Sequence, residues 1–165
     1  MVLRLSRALY MEMVGHCLSG LPDEACGLLV GSYEGDEAVH LFPTPNAAAS
    51  AMVYEIDPKE MLRVDRAARE LGADIMGVFH SHTHTDAYPS PTDVAQATDP
   101  GWHYVLVSLR DTHPVVRSYR IVDGRINEEP VDVPGLDVPG LDLSGRDLSG
   151  PDAPGLQVPG AEALG

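Results

Sequence analysis

The chain has 165 residues, 44% of them hydrophobic, and a formal charge of -14 from 25 acidic and 11 basic side chains. That length suits one domain with a sizeable core, and the acidic excess argues against a nucleic-acid partner while leaving room for a basic protein or peptide. No stretch reaches the roughly 18–20 apolar residues of a membrane span and no signal peptide is recognisable, so the expected setting is cytoplasmic, without membrane contact. Cys17 and Cys26 lack a Cys-x-x-Cys spacing and are expected as two buried thiols. A site-lining role for Cys26, two residues after Glu24, is the lesser reading.

In chain order, residues 2–5 read as a short strand, and Ser6 caps a helix over about 7–19 whose apolar stripe is Leu9, Met13 and Cys17, widened by Val14 and Leu18. Gly20 and Pro22 stop it. Residues 25–31, Ala-Cys-Gly-Leu-Leu-Val-Gly, read as a buried strand with Glu24 at its start. A turn at 34–36 leads into a strand over 38–42, which Pro43, Pro45 and Asn46 end. Met52-Val-Tyr-Glu-Ile56 is expected as another short strand. Asp57, Pro58 and Glu60 together start a helix that runs to Leu71 and ends at Gly72.

A strand follows over about 74–80, then a turn-rich segment and a short helix capped by Ser90 or Thr92 and reaching Thr98. Residues 102–108 and 115–122 read as strands, and Asp123-Gly124 turns the chain into a last strand over 125–133. Helices interleaved with strands predict an α/β or α+β layer, a mixed β-sheet flanked by helices, over residues 1–132. From Asp132 a five-residue repeat takes over, Asp-Val-Pro-Gly-Leu and its variants. With little bulk to pack, residues 133–165 are expected to form a flexible acidic tail.

The chemistry concentrates in His80-Ser-His-Thr-His-Thr-Asp-Ala-Tyr-Pro-Ser-Pro-Thr-Asp93. On a strand, His80 and His82 project from one face, with their Cα atoms roughly 6.5–7 Å apart, a span two imidazoles can close onto one ion. Asp93 can add a hard oxygen ligand, and two nitrogens with one carboxylate leave a position of a tetrahedral zinc open, as in catalytic sites. His84 is an alternative ligand to Asp93. It is expected in a loop instead, since a local turn with Pro89 breaks the strand first.

The ordered spacing of His80, His82, Ser90 and Asp93, with Glu24 upstream in Pro22-Asp-Glu-Ala-Cys-Gly27, resembles the JAMM motif of the MPN-domain metallopeptidases. The resemblance implies the JAMM/MPN fold, one Zn2+ per chain held by His80, His82 and Asp93, Glu24 as general base, and Ser90 as donor to the oxyanion of an attacked carbonyl. It also implies cleavage after the C-terminal Gly-Gly of a ubiquitin-like protein. Further runs, among them Ala87-Tyr-Pro-Ser90, His103-Tyr-Val-Leu-Val-Ser108, Ser118-Tyr-Arg-Ile-Val-Asp-Gly124 and Glu128-Glu-Pro-Val131, are similar to the branch of actinobacterial enzymes that free cysteine from a sulfur-carrier protein.

The expected partner is therefore a ubiquitin-like sulfur carrier ending in Gly-Gly, its tail admitted by loops around 44–54 and 83–91. One alternative is a peptidase that trims a C-terminal extension from such a carrier. Another, of a different class, is a non-catalytic MPN scaffold, disfavoured because every motif position is filled. A zinc base deaminase would need His-x-Glu and Pro-Cys-x-x-Cys, and neither occurs.

Overall fold

The computed structural model describes residues 1–32 and 35–136. The expected flexible tail, beyond its first repeat unit, and part of the 34–36 turn lie outside the described residues. The elements run β1 Leu3–Leu5, α1 Arg7–Ser19, β2 Cys26–Gly31, β3 Glu37–Thr44, α2 Pro58–Glu70, β4 Asp74–His82, α3 Pro91–Gln96, β5 His103–Ser108, β6 Val115–Val122, β7 Arg125–Glu129 and β8 Val131–Asp132. Among the described residues no helix is long and apolar enough to cross a membrane.

Helix starts follow the local chemistry that predicts them. The Ser6 hydroxyl accepts from Leu9 N at 3.2 Å, and the Asp57 carboxylate accepts from Lys59 N at 2.7 Å with Pro58 opening α2. The strands form one sheet in the order β7-β6-β5-β4-β2-β3-β1-β8. It is mixed: β4 runs parallel to β5 and antiparallel to β2. Both faces are covered, as β2 and β5, buried throughout, and β4, buried after Asp74, require. Leu29, Phe79, Val105 and Val107 point to the α1 side with Met13 and Cys17, whereas Leu28, Val78, Leu106 and Tyr119 point to the α2 side with Val64 and Ala68. Gly27 lies opposite Phe79, and a Cβ there would overlap the Phe79 ring and the Phe42 carbonyl, so only glycine admits this packing.

Several expected elements are corrected, and β3 runs through Pro43 to Thr44 instead of ending before it. The last strand is not continuous over 125–133: Pro130 has no N–H to extend the ladder, and the chain breaks there into β7 and β8. The Pro130 carbonyl instead accepts from Leu3 N at 2.9 Å, and β8 pairs with β1 at the far end of the strand order. One residue separates β7 from β8, so the sheet curls until its two edges meet.

The run Met52–Ile56 is not a strand either. Two of its backbone groups are taken up by the Asn46 side chain, which accepts from Glu55 N and donates to the Val53 carbonyl, both at 3.0 Å. In the other direction, β4 continues past residue 80 to include His82.

Candidate metal centre

The strand alternation places His80 and His82 on the α2 side of the sheet and Ser81 on the other. Ser81 is fully buried, and its hydroxyl accepts from Ala25 N at 2.8 Å, tying the end of β4 to the residue after Glu24. Asp93 enters from α3. Ser90 caps this helix, accepting from Asp93 N at 3.2 Å, while the Asp93 carboxylate accepts from Ser90 N at 2.7 Å. That reciprocal cap aims Asp93 back at the strand end. The two histidine Nε2 atoms lie 3.2 Å apart, and each is 3.3 Å from an Asp93 oxygen.

These separations test whether the residues fit a metal ion. Donors standing about 2.0–2.1 Å from a tetrahedral ion are separated by edges of about 3.3 Å, which is the spacing found. The tautomer of His82 also suits ligation: Nδ1–H donates to the Asp86 carbonyl at 2.8 Å, leaving the Nε2 lone pair for the centre. The three residues are 2%, 4% and 7% exposed, so an ion here would be shielded from bulk water on the protein side.

The charges of the site suit a cation held by these three residues. Burial pushes the Asp93 carboxyl up, but hydrogen bonds from His80, His82 and Ser90 outweigh it and hold the group ionised well below the usual range. Burial holds His80 down, and the bond to Asp93 only partly restores it. Burial also lowers His82, but Asp93 and the Asp86 carbonyl more than compensate. Among the described residues Asp93 has no Lys or Arg partner; its ion pairs are to the two histidines. His80, His82 and Asp93 can hold a metal ion.

Glu24 stands just ahead of β2 and is 6% exposed. Its own N–H donates to the Ser50 carbonyl at 2.8 Å, and its carbonyl accepts from Asn46 Nδ2 at 2.9 Å. Burial raises its carboxyl to about 7, moderated by His82 and reinforced by Asp93, so its side chain shares the field of the triad. A carboxyl poised there can take up and release a proton at neutral pH.

His84 is exposed in the loop after β4, outside the group of three, as expected. Cys17 and Cys26 are both buried and free. Cys26 is turned toward the end of β3, its sulfur 3.5 Å from Thr44 Oγ1. Two features of the site escape the sequence reading. The Tyr54 ring lies stacked on His80, and Asn46 holds the loop that carries it. Beyond Tyr54 a cleft of about 330 Å3 opens, lined by Ile56, Met61, Val78, Trp102 and Tyr104 among others.

Comparison with known proteins agrees with this geometry. The model of the prokaryotic homologues of the JAB domain matches residues 6–122. The chain is 47% identical over 133 residues to the CysO-cysteine peptidase of Mycobacterium tuberculosis, covering 80% of this chain and 91% of the relative. It is 33% identical over 98 residues to a probable TtuB-protein conjugate cleaving protease of Thermus thermophilus, covering 59% of this chain and 64% of that one. A solution structure of a protein from Desulfitobacterium hafniense superposes with a TM-score of 0.73 at 34% identity, covering 81% of this chain and 92% of the other.

Proposed function

The chain belongs to the family of prokaryotic homologues of the JAB domain, and from that membership we propose that it is a zinc metallopeptidase acting after the C-terminal Gly-Gly of a ubiquitin-like sulfur-carrier protein, releasing cysteine from a carrier-cysteine adduct. The observation that carries the reading is the buried group His80, His82 and Asp93 at tetrahedral spacing, with Glu24 in its field. His80, His82 and Asp93 would hold one zinc per chain. When bound, zinc supplies a Lewis acid and brings the pKa of water down to about 7.

The protein's own groups then divide the work. Glu24, with its proton affinity near neutrality, accepts a proton from the attacking water and delivers it to the departing amine. Ser90 uses its oxygen as acceptor in the helix cap, so its hydroxyl hydrogen can be donated to the developing oxyanion. A preorganised donor of that kind is worth about 3 kcal/mol. The Gly-Gly tail would pass between the segments around 44–54 and 83–91, where Met52 and Tyr88 stand 86% and 56% exposed.

Cysteine as the leaving group is supported by the name of the mycobacterial relative, a CysO-cysteine peptidase. The name of the Thermus relative supports the broader class, cleavage of conjugates of such carriers. The test is to incubate zinc-loaded protein with a carrier ending in Gly-Gly-Cys, and with one bearing a longer extension, and to follow each carrier's mass. Loss of one cysteine residue from the first, absent with Glu24→Gln, is the expected result. Cleavage of the longer extension alone would replace this reading with that of a processing peptidase, and cleavage of neither would remove the carrier as substrate.

A further inference from the structure

The three metal donors are oriented by different means. His82 is fixed by its bond to the Asp86 carbonyl and Asp93 by its cap on Ser90. His80 instead carries the Tyr54 ring on one face, centroids 4.2 Å apart and planes 22° from parallel. An imidazole's second side-chain torsion is broad by itself. A flat neighbour at this distance narrows it, because a ring turned edge-on would run into the tyrosine.

Tyr54 is 8% exposed although it belongs to an irregular segment. The Asn46 side chain explains its fixity. Nδ2 donates to the carbonyl of Val53 and Oδ1 accepts from the N–H of Glu55, each at 3.0 Å, so one amide grips the backbone on both sides of Tyr54. The Ala47 N–H to Glu55 carbonyl bond, at 2.8 Å, closes the same loop.

We propose that Asn46 and Tyr54 are a positioning pair for the metal: Asn46 sets the backbone on either side of Tyr54, and the Tyr54 ring sets the plane of the His80 imidazole so that Nε2 faces the ion. The proposal rests on the metal reading above. Orientation supplied before binding need not be supplied at the expense of affinity; loss of the hydrogen-bond partner that orients a ligating histidine typically costs 10–100-fold in metal affinity, and the stacked ring is placed at the low end of that scale. The flat face of Tyr54 is what matters here, and its hydroxyl is not.

The test is zinc affinity of the metal-stripped protein, read by competition with a chromophoric chelator. Tyr54→Leu is expected to weaken zinc about tenfold, Tyr54→Phe to stay within about twofold, and Asn46→Ala to weaken zinc in the wild-type background but not further in Tyr54→Leu, as two residues acting through one contact should. Val64→Ala, a fully buried position of the same core, is the stability control. It should lower the melting temperature and leave zinc affinity unchanged.

Wild-type protein that takes up no zinc would remove the metal reading itself. Wild type that binds zinc with Tyr54→Leu equally tight, or with Tyr54→Phe as weak as Tyr54→Leu, would overturn the positioning pair alone. Should Tyr54→Leu not fold, Asn46→Ala binding zinc no more weakly than Val64→Ala would overturn it.

Discussion

Two buried polar clusters are built on this sheet, both from carboxylates and histidines. At the C-terminal end of β4, Asp93 faces His80 and His82 with Glu24 nearby. Nearer the other end of the neighbouring strand β5, His103 Nδ1 bonds Glu129 at 2.5 Å, the Ser118 hydroxyl donates to the same carboxylate at 2.7 Å, and Arg120 reaches Glu129, Asp36 and the Gly101 carbonyl. The second cluster contains its own cation. It joins the β2–β3 turn, β5, β6 and β7, where the curled sheet closes, and its donors and acceptors are spent on one another. In the first cluster two imidazole nitrogens and a carboxylate converge with no Arg or Lys among the described residues to balance them. The second cluster's buried acid is closed by arginine, whereas the first cluster's faces two imidazoles in a donor set that can hold a metal ion.

The largest effect that would sharpen this contrast is catalytic. Glu24→Gln should reduce kcat by about 10²–10⁴-fold, as expected for loss of a general base, with zinc content unchanged by metal analysis. The joint should respond in stability instead. Arg120→Met leaves buried acids without their cation and should cost about 3–5 kcal/mol in a denaturant titration, while zinc stoichiometry stays that of wild type.

Zinc should stabilise the first cluster by mass action. At a hundredfold excess over its Kd the gain is about 2.7 kcal/mol, visible as a higher melting temperature that a chelator reverses and that His80→Ala never shows. The smallest effect is in pH. Burial pushes the Glu129 carboxyl up, but His103, Ser118 and Arg120 outweigh it, so its folded pKa lies below the ordinary 4.5. Its contribution to stability is therefore full above that value and is lost as pH falls through the folded pKa. Melting measured from pH 6 down to pH 3 should decline, and Glu129→Gln should flatten the decline.

What the sequence reveals of these clusters depends on how local their geometry is. His80 and His82 are legible because strand alternation alone puts both on one face, and Asp93 because Ser90 caps the helix that carries it. Glu24 comes from the motif resemblance; no periodicity links it to residues so distant in the chain. Tyr54 and Asn46 are hidden, since a side-chain amide holding an irregular loop has no repeat to read, and the apolar run 52–56 imitates a strand. The arginine joint is hidden for a related reason. Asp36 and Arg120 meet only because the sheet curls, and β8 crosses to β1 after Pro130 at the same closure.

Native mass spectrometry of metal-stripped protein given one equivalent of zinc distinguishes a first cluster that takes a metal from a second that does without one. One zinc per chain is expected on the wild type and on Arg120→Met, and none on Asp93→Asn. Zinc retained equally by Asp93→Asn, or lost from Arg120→Met while that variant remains folded, would overturn that division between the clusters.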